Sequence, residues 1–79
     1  MAQLPSIEES EHFILGIYKQ MGIRANEMLA YGVFLSVLQK QSKFREDDLQ
    51  AGLKSLIQKG MIIEKERKYF LTASGFEAI

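Results

Sequence analysis

Residues 42–75 read SKFREDDLQAGLKSLIQKGMIIEKERKYFLTASG and carry the clearest structural pattern of the chain. Its first half carries apolar residues at helical spacing, and this predicts an amphipathic helix over about residues 44–59. The apolar stripe consists of Leu49, Leu53, Leu56 and Ile57. Gly60 follows at the point where a helix often ends in a left-handed residue.

A β-hairpin is predicted directly after this glycine. Residues 61–63 are apolar, residues 64–68 are too charged to be buried, and residues 69–72 are apolar and β-prone again. The pattern therefore indicates two short strands joined by a charged tip, over about residues 61–72. Thr72 is a suitable N-cap for a last helix that runs to Ile79. We expect Phe76 and Ile79 of that helix to pack back onto the core.

This order of elements resembles the winged helix-turn-helix of the PadR and MarR groups of bacterial and archaeal regulators. The resemblance rests on two pieces, Leu53-x-x-Leu56-x-x-x-Gly60-Met61-Ile62 and Leu71-Thr72-x-x-Gly75. It implies an α+β, mainly helical winged-helix fold with a three-helix core, a β-hairpin wing and a short C-terminal helix. One domain would span residues 1–79, with residues 1–5 flexible. The resemblance further implies that the helix of residues 44–59 enters the major groove of double-stranded DNA, while the wing of residues 61–72 lies on the backbone.

Two helices are expected before this stretch. Ser6 is a suitable N-cap for the first, and Gly22 ends it. Residues 23–24 are a candidate for a short third strand behind the wing. Asn26 is predicted to cap a second helix that runs to about residue 39 or 40. That helix would be longer than the second helix usual in helix-turn-helix proteins.

The second predicted helix is apolar on nearly all sides, so it requires burial on all sides. Two interpretations remain open at this point. In one, it is the central helix and the other helices cover it. In the other, Tyr31, Phe34 and Leu38 face a partner subunit, since such a stripe would otherwise favour aggregation. We expect a homodimer formed through the first two helices.

Composition bounds the possible functions. The chain has 79 residues, no cysteine and 47% hydrophobic residues, which indicates a small folded domain without disulfides or thiolate metal sites. Net charge is zero, but residues 1–39 carry −2 and residues 40–68 carry +3. This asymmetry places positive charge on the predicted recognition helix and wing, although it is also within ordinary surface variation. No signal peptide or membrane-spanning apolar run is evident, so a cytoplasmic protein without membrane contact is expected.

No catalytic or cofactor site is predicted. His12 is the only histidine, and no serine stands in a nucleophile motif. Neither a metal-ligand pair nor a glycine-rich phosphate loop is present. The acidic run of residues 46–48 lies at a helix start, where negative charge complements the helix dipole. The sequence therefore favours a binding protein over an enzyme.

The resemblance implies a set of DNA contacts on the third helix and the wing. Lys54 would reach a guanine edge or a phosphate, and a glutamine amide can pair with adenine in the major groove. The full set of predicted DNA-binding residues is Lys43, Arg45, Gln50, Lys54, Ser55, Gln58, Lys65, Arg67 and Lys68. Asp47 on the same helix face opposes phosphate binding. A winged helix that binds a protein partner and no DNA is therefore the alternative.

Overall fold

The structure is a computed structural model that describes residues 6–40 and 43–79. Over these residues the chain is a mainly helical α+β protein, as predicted, with four helices and a three-stranded antiparallel sheet. The elements are α1 (Ile7–Gln20), β1 (Met28–Ala30), α2 (Tyr31–Gln39), α3 (Glu46–Gln58), β2 (Ile62–Lys65), β3 (Lys68–Leu71) and α4 (Ala73–Glu77). The sequence also predicts a turn over residues 41–44 between the second and third helices. Its first two residues, Gln41 and Ser42, and the predicted flexible start at residues 1–5 lie outside the described residues.

Several helix ends follow the local chemistry that the sequence indicates. The Ser6 hydroxyl accepts a hydrogen bond from the backbone N–H of Glu9, which satisfies one free donor at the start of α1. The Thr72 hydroxyl does the same for Gly75 in α4. Gly22 and Gly60 follow α1 and α3 with φ of 68° and 75°, so both provide the left-handed conformation that ends a helix. These cap predictions are confirmed.

The third strand is not where the sequence placed it. It is Met28–Ala30, rather than residues 23–24, and it pairs antiparallel with β3 so that the sheet order is β1-β3-β2. Asn26 is not a helix cap, because its φ is 71° and its N–H donates to the Leu71 carbonyl at 2.7 Å. Backbone bonds to β3 therefore replace the helix that the apolar pattern predicted there.

Helix α2 is consequently short and buried on its inner side. It begins at Tyr31 and has nine residues, so the expectation of an unusually long second helix is wrong. Phe34 is fully buried and Leu38 nearly so. The Phe34 ring meets the rings of Tyr18 and Tyr69 edge-on, at 5.6 and 5.7 Å between centroids. The interpretation in which Phe34 and Leu38 face a partner subunit is therefore wrong, because both belong to the core.

The core lies between α1, α2, α3 and the inner face of the sheet. Its largest buried side chains are Ile14, Tyr18, Phe34, Leu49, Leu56, Ile62 and Leu71. Helices α1 and α3 approach closely at Gly52, where an added Cβ would stand 2.8 Å from Ile14 Cδ1 and 2.9 Å from Ser10 Cβ. The Tyr18 hydroxyl donates to the backbone carbonyl of Tyr69 at 2.7 Å, which ties α1 to the central strand.

At both ends of residues 42–75, the helices differ in detail from what the sequence predicts. Helix α3 begins at Glu46, rather than near residue 44, because Arg45 is extended and its N–H donates to the Asp48 carboxylate at 2.9 Å. Phe44 lies before the helix and stacks on Phe13 at 4.6 Å between centroids, so it packs against the core. In helix α4 the buried residue is Gly75, and Phe76 is left exposed.

The predicted packing of Phe76 and Ile79 onto the core is therefore wrong, since these side chains are 46% and 36% exposed. The reason lies in Gly75, which is buried. A Cβ at Gly75 would stand 2.3 Å from the carbonyl oxygen of Met61, so only glycine allows α4 to approach the start of the hairpin this closely.

Over the described residues, the chain forms no helix with the length and apolarity needed to cross a bilayer.

Candidate nucleic-acid interface

A groove runs between α3 and the hairpin, with the start of α2 at its end. Two adjoining depressions of about 210 and 370 Å³ form it. Both are lined by Tyr31, Gln50, Glu64 and Tyr69. Leu53 and Ile57 line the first depression and Arg67 lines the second. We refer to this feature as the α3–hairpin groove.

Helix α3 positions the groove because its apolar stripe faces α1 and the sheet. Leu49, Leu53 and Leu56 are buried, so the opposite side of the helix is left to solvent. Of the predicted α3 contacts, Gln50 and Lys54 line the groove, while Gln58 is exposed further along the helix. Asp47, the acidic residue that opposes phosphate binding, is exposed as well.

Ser55 does not lie on the exposed side of α3. Its hydroxyl donates to the carboxylate of Glu11 on α1, and the same carboxylate is held by Lys59 Nζ at 2.9 Å. Burial raises the pKa of Glu11, but hydrogen bonds from Ser55 and Lys59 and the attraction of nearby positive charge outweigh it, so the pKa of Glu11 lies below its usual value. Ser55 is thus part of the contact between α1 and α3, a role that its helix position alone did not indicate.

Lys43 and Arg45, the two DNA contacts predicted near the start of α3, differ in whether another part of the chain engages them. Lys43 is 2.7 Å from the Glu9 carboxylate at the start of α1. The hydrogen bond and the charge of Lys43 lower the pKa of Glu9. Arg45 is exposed at the N-cap of α3. Lys43 is therefore engaged by another part of the chain, whereas Arg45 lies beside the exposed face of α3.

The register of the hairpin divides its charges between two faces. Tyr69 is buried and pairs with Glu64, so both side chains lie on the inner face toward α3. Lys65 pairs directly with Lys68, one position further along each strand, and these two lysines lie on the outer face. Of the three basic residues predicted on the wing, only Arg67 at the tip borders the groove.

The tip itself is a two-residue turn between Lys65 and Lys68. Glu66 and Arg67 have φ of 53° and 63°, the pair of positive values that a type I′ hairpin turn requires. The Arg67 carbonyl accepts a hydrogen bond from the N–H of Tyr31, at 3.4 Å, which joins the tip to the start of α2.

A network of tyrosines and carboxylates, which was not predicted from the sequence, lies along the groove. The Tyr31 hydroxyl donates to Glu46 Oε2 at 3.0 Å, and the Gln50 amide donates to the Tyr31 oxygen at 3.2 Å. The Tyr69 hydroxyl donates to Glu64 Oε2 at 3.0 Å. The alternation of the strands could have placed Glu64 beside Tyr69. Nothing local in the sequence joins Tyr31 to Glu46, which lie on separate helices.

Both tyrosines of this network stay protonated well above neutral pH. Burial, followed by the hydrogen bond to Glu64, raises the pKa of Tyr69 to about 12. Burial is also the main reason why the pKa of Tyr31 is raised, and Glu46 contributes in the same direction. The groove therefore offers two hydroxyl donors that are already occupied by carboxylates, together with the cations of Lys54 and Arg67.

Within residues 6–40 and 43–79 there is no group of three or more histidine, cysteine, aspartate or glutamate residues that could hold a metal ion.

Comparison of the chain with protein-family models, with curated proteins and with solved structures found no match. What the groove binds is therefore inferred from its own geometry and charge.

Proposed function

We propose that this protein is a winged helix-turn-helix protein that binds double-stranded DNA and regulates transcription. One observation carries the proposal: Lys54 on the exposed side of α3 and Arg67 at the hairpin tip border adjoining parts of one groove. A helix and a β-hairpin that present cations on one side of a small domain match the shape and the charge of a duplex.

In this proposal α3 lies in the major groove of DNA. Lys54 contacts a guanine edge or a phosphate, and Gln58 contacts a base edge or backbone from the last turn of the helix. Gln50 is held by Tyr31 and Glu46, so it would contact adenine only after those hydrogen bonds open. Arg45 at the N-cap of α3 contacts the backbone.

The hairpin supplies the remaining cations as the proposed wing. Arg67 contacts the backbone or the minor groove beside α3, while Lys65 and Lys68 reach phosphates from the outer face of the sheet. The nearby carboxylates of Glu46 and Glu64 repel phosphate, so modest affinity is expected. If about four phosphates are neutralised, log K falls against log salt with a slope of about −3 to −4.

The test is titration of labelled duplex fragments at two salt concentrations. We expect Lys54→Ala and Arg67→Ala each to weaken binding by roughly threefold to tenfold and to reduce the salt slope by about one. Lys43→Ala is the matched control, with a smaller expected loss because Glu9 already engages this lysine. Thermal melting checks that all three variants fold. If both groove variants bind DNA like the parent, the assigned face is wrong.

A second candidate function, docking of a protein partner, is favoured by the carboxylates of the groove. Glu46 and Glu64 stand beside two tyrosines, an arrangement that suits a lysine or arginine side chain of a bound peptide. Titration of an arginine-rich peptide against an acidic peptide of equal length separates the two functions. Binding of the arginine-rich peptide alone, together with no DNA binding at low salt, would favour this second candidate.

A further inference from the structure

Helix α1 carries a continuous groove along its solvent side, away from the core. Three depressions of about 640, 170 and 300 Å³ follow one another along it. The first and second share His12, and the second and third share Lys19. We call this feature the α1 groove. It is distinct from the α3–hairpin groove, because the two have no lining residue in common.

The α1 groove is acidic at one end and basic at the other. Glu8 lines the depression at the start of α1. Lys19 and Arg24 line the depression at its end. The ion pairs of the described residues join Lys43 to Glu9 and Lys59 to Glu11, so Glu8, Lys19 and Arg24 do not take part in them. The charges at the two ends are therefore left for a partner.

The middle of the α1 groove allows another helix to approach α1 closely. Gly16 lines the central depression, and a Cβ added there would meet no atom within 4 Å. Leu15 beside it supplies an apolar floor. A glycine in the middle of a helix costs about 0.5–1 kcal/mol relative to alanine, and here no contact within the described chain requires it. Contact with another helix at this point would require it, because a bare helix surface lets two backbones come close.

The two ends of the groove also differ in shape. At the basic end, the half-exposed ring of Phe76 and the side chain of Ile79 line the groove. At the acidic end, the largest of the three depressions lies over the stacked rings of Phe13 and Phe44. One end thus presents apolar side chains, and the other presents an aromatic hollow.

We propose that a second copy of this chain docks antiparallel along the α1 groove. A half-turn about an axis through the middle of α1 superposes the acidic end of each copy on the basic end of the other. Glu8 and Lys19 are separated by about 16 Å along the helix axis, so each lies about 8 Å from that axis and faces the other across it. Phe76 of one copy meets the hollow over Phe13 and Phe44 of the other.

A second copy fits better than an unrelated partner because every feature of the groove has its complement on the same chain. A two-fold interface requires such self-complementarity. Net charge is zero, so no overall repulsion opposes association. The interface uses α1 and α4 and leaves the buried face of α2 in the core. It does not depend on DNA binding, and it is tested without DNA.

The experiment is sedimentation analysis of the full chain over about a hundredfold range of concentration, because a dimer is revealed by mass that depends on concentration. Glu8→Lys and Lys19→Glu each place like charges opposite one another twice per dimer, and we expect each to weaken association about tenfold. The double variant restores both opposite-charge pairs, so its dissociation constant should return to near the parent value. Lys65→Glu on the outer face of the hairpin is the matched charge-reversal control.

Gly16→Gln provides a second test that does not depend on charge. Open space surrounds this position and glutamine favours helix, so the monomer should fold with at least the parent melting temperature. The longer side chain would hold α1 of the two copies apart, and we expect association to weaken at least tenfold. A parent chain that stays monomeric over the whole range would overturn the proposal. A dimer that neither charge reversal nor Gly16→Gln weakens would overturn it equally.

Discussion

Helix α3 carries a polar network on each of two sides, and the two differ in how deeply they are buried. Toward α1, the residue Glu11 is 5% exposed, and its carboxylate receives hydrogen bonds from Ser55 and Lys59. Toward the hairpin, Glu46 is exposed and receives hydrogen bonds from Tyr31 and Gln50. The carboxylates of Glu11 and Glu46 therefore have different effects on the protein. The buried network holds two helices together, while the exposed one shapes a surface that a ligand can contact.

The sharpest test of the buried side is Gly52→Ala, which puts a methyl group into the contact between α1 and α3. The added Cβ would stand 2.8 Å from Ile14 Cδ1 and 3.1 Å from the backbone carbon of Ser10. Overpacking of this kind costs about 1–3 kcal/mol, so we expect a lower free energy of unfolding in urea. Gly16→Ala is the control on the open side of α1, and in protein dilute enough to be monomeric it should raise stability by about 0.5–1 kcal/mol. Equal effects of the two variants would contradict this account of the interface.

The next largest effect is expected from Glu11→Gln, which keeps the volume of the side chain and removes its charge. Hydrogen bonds to a charged group contribute about 1.5–3 kcal/mol, and we expect a loss of about 1–2 kcal/mol because the amide retains part of the network. Glu8→Gln on the exposed surface should change stability by less than about 0.5 kcal/mol. A loss at position 11 no larger than that at position 8 would show that the buried network contributes little.

This network also predicts a dependence of stability on pH. Because the folded pKa of Glu11 lies below its unfolded value, its contribution is present above the ordinary glutamate pKa and is lost as pH falls through the lowered one. Stability of the parent should therefore decline in that acidic range, and Glu11→Gln should decline less. Urea titrations at a series of acidic pH values measure the difference. Parallel declines would assign the acid sensitivity to other carboxylates.

A smaller loss of stability is expected when the buried hydroxyl of Tyr18 is removed. Tyr18→Phe deletes the hydrogen bond to the Tyr69 carbonyl, and a net cost of about 0.5–1.5 kcal/mol is expected in thermal or urea unfolding. Tyr31→Phe removes the corresponding donor from the exposed network and should cost less than about 0.5 kcal/mol. A larger loss of stability for Tyr31→Phe than for Tyr18→Phe would contradict this expectation.

The smallest change in stability is expected for Glu46→Gln, within about 0.5 kcal/mol of the parent. If the proposed DNA binding is correct, removal of this negative charge should strengthen binding at low salt by about twofold to fivefold. Glu77→Gln on α4 removes the same charge away from the groove and should leave binding nearly unchanged. Weaker DNA binding by Glu46→Gln would indicate that this carboxylate contacts the ligand directly.

Much of the fold could be predicted from local sequence. The stripe of leucines in α3, the glycine after it and the change to a β-type pattern define the helix and hairpin, because each depends on a few neighbouring residues. Residues 26–30 could not be assigned in this way. Their apolar pattern favours a helix, but pairing of Leu29 with Tyr69 draws them into the sheet. That contact joins residues separated by about half of the chain and leaves no local signal.

The candidate site was only partly predictable for the same reason. Helical spacing placed Lys54 on the exposed side of α3, where the structure has it. It could not show that Ser55 would meet Glu11, because that contact depends on how two helices are packed. Nor did composition reveal that Lys65 and Lys68 lie side by side on the outer face, because their pairing follows only once the register is known.

The base of the hairpin is clamped, and this has a mechanical consequence. Thr72 donates its backbone N–H to the carbonyl of Met61 and its hydroxyl to the carbonyl of Gly60, while Gly75 packs against the same turn. The hairpin therefore extends about 13 Å from a base that is fixed to the end of α3. Strand β3 is also paired with β1 along its length, and the Arg67 carbonyl accepts a hydrogen bond from the Tyr31 N–H, so the hairpin is held at its base, along one side and at its tip. These contacts set the width of the α3–hairpin groove before any ligand binds, so a ligand that requires a wider groove would have to break them.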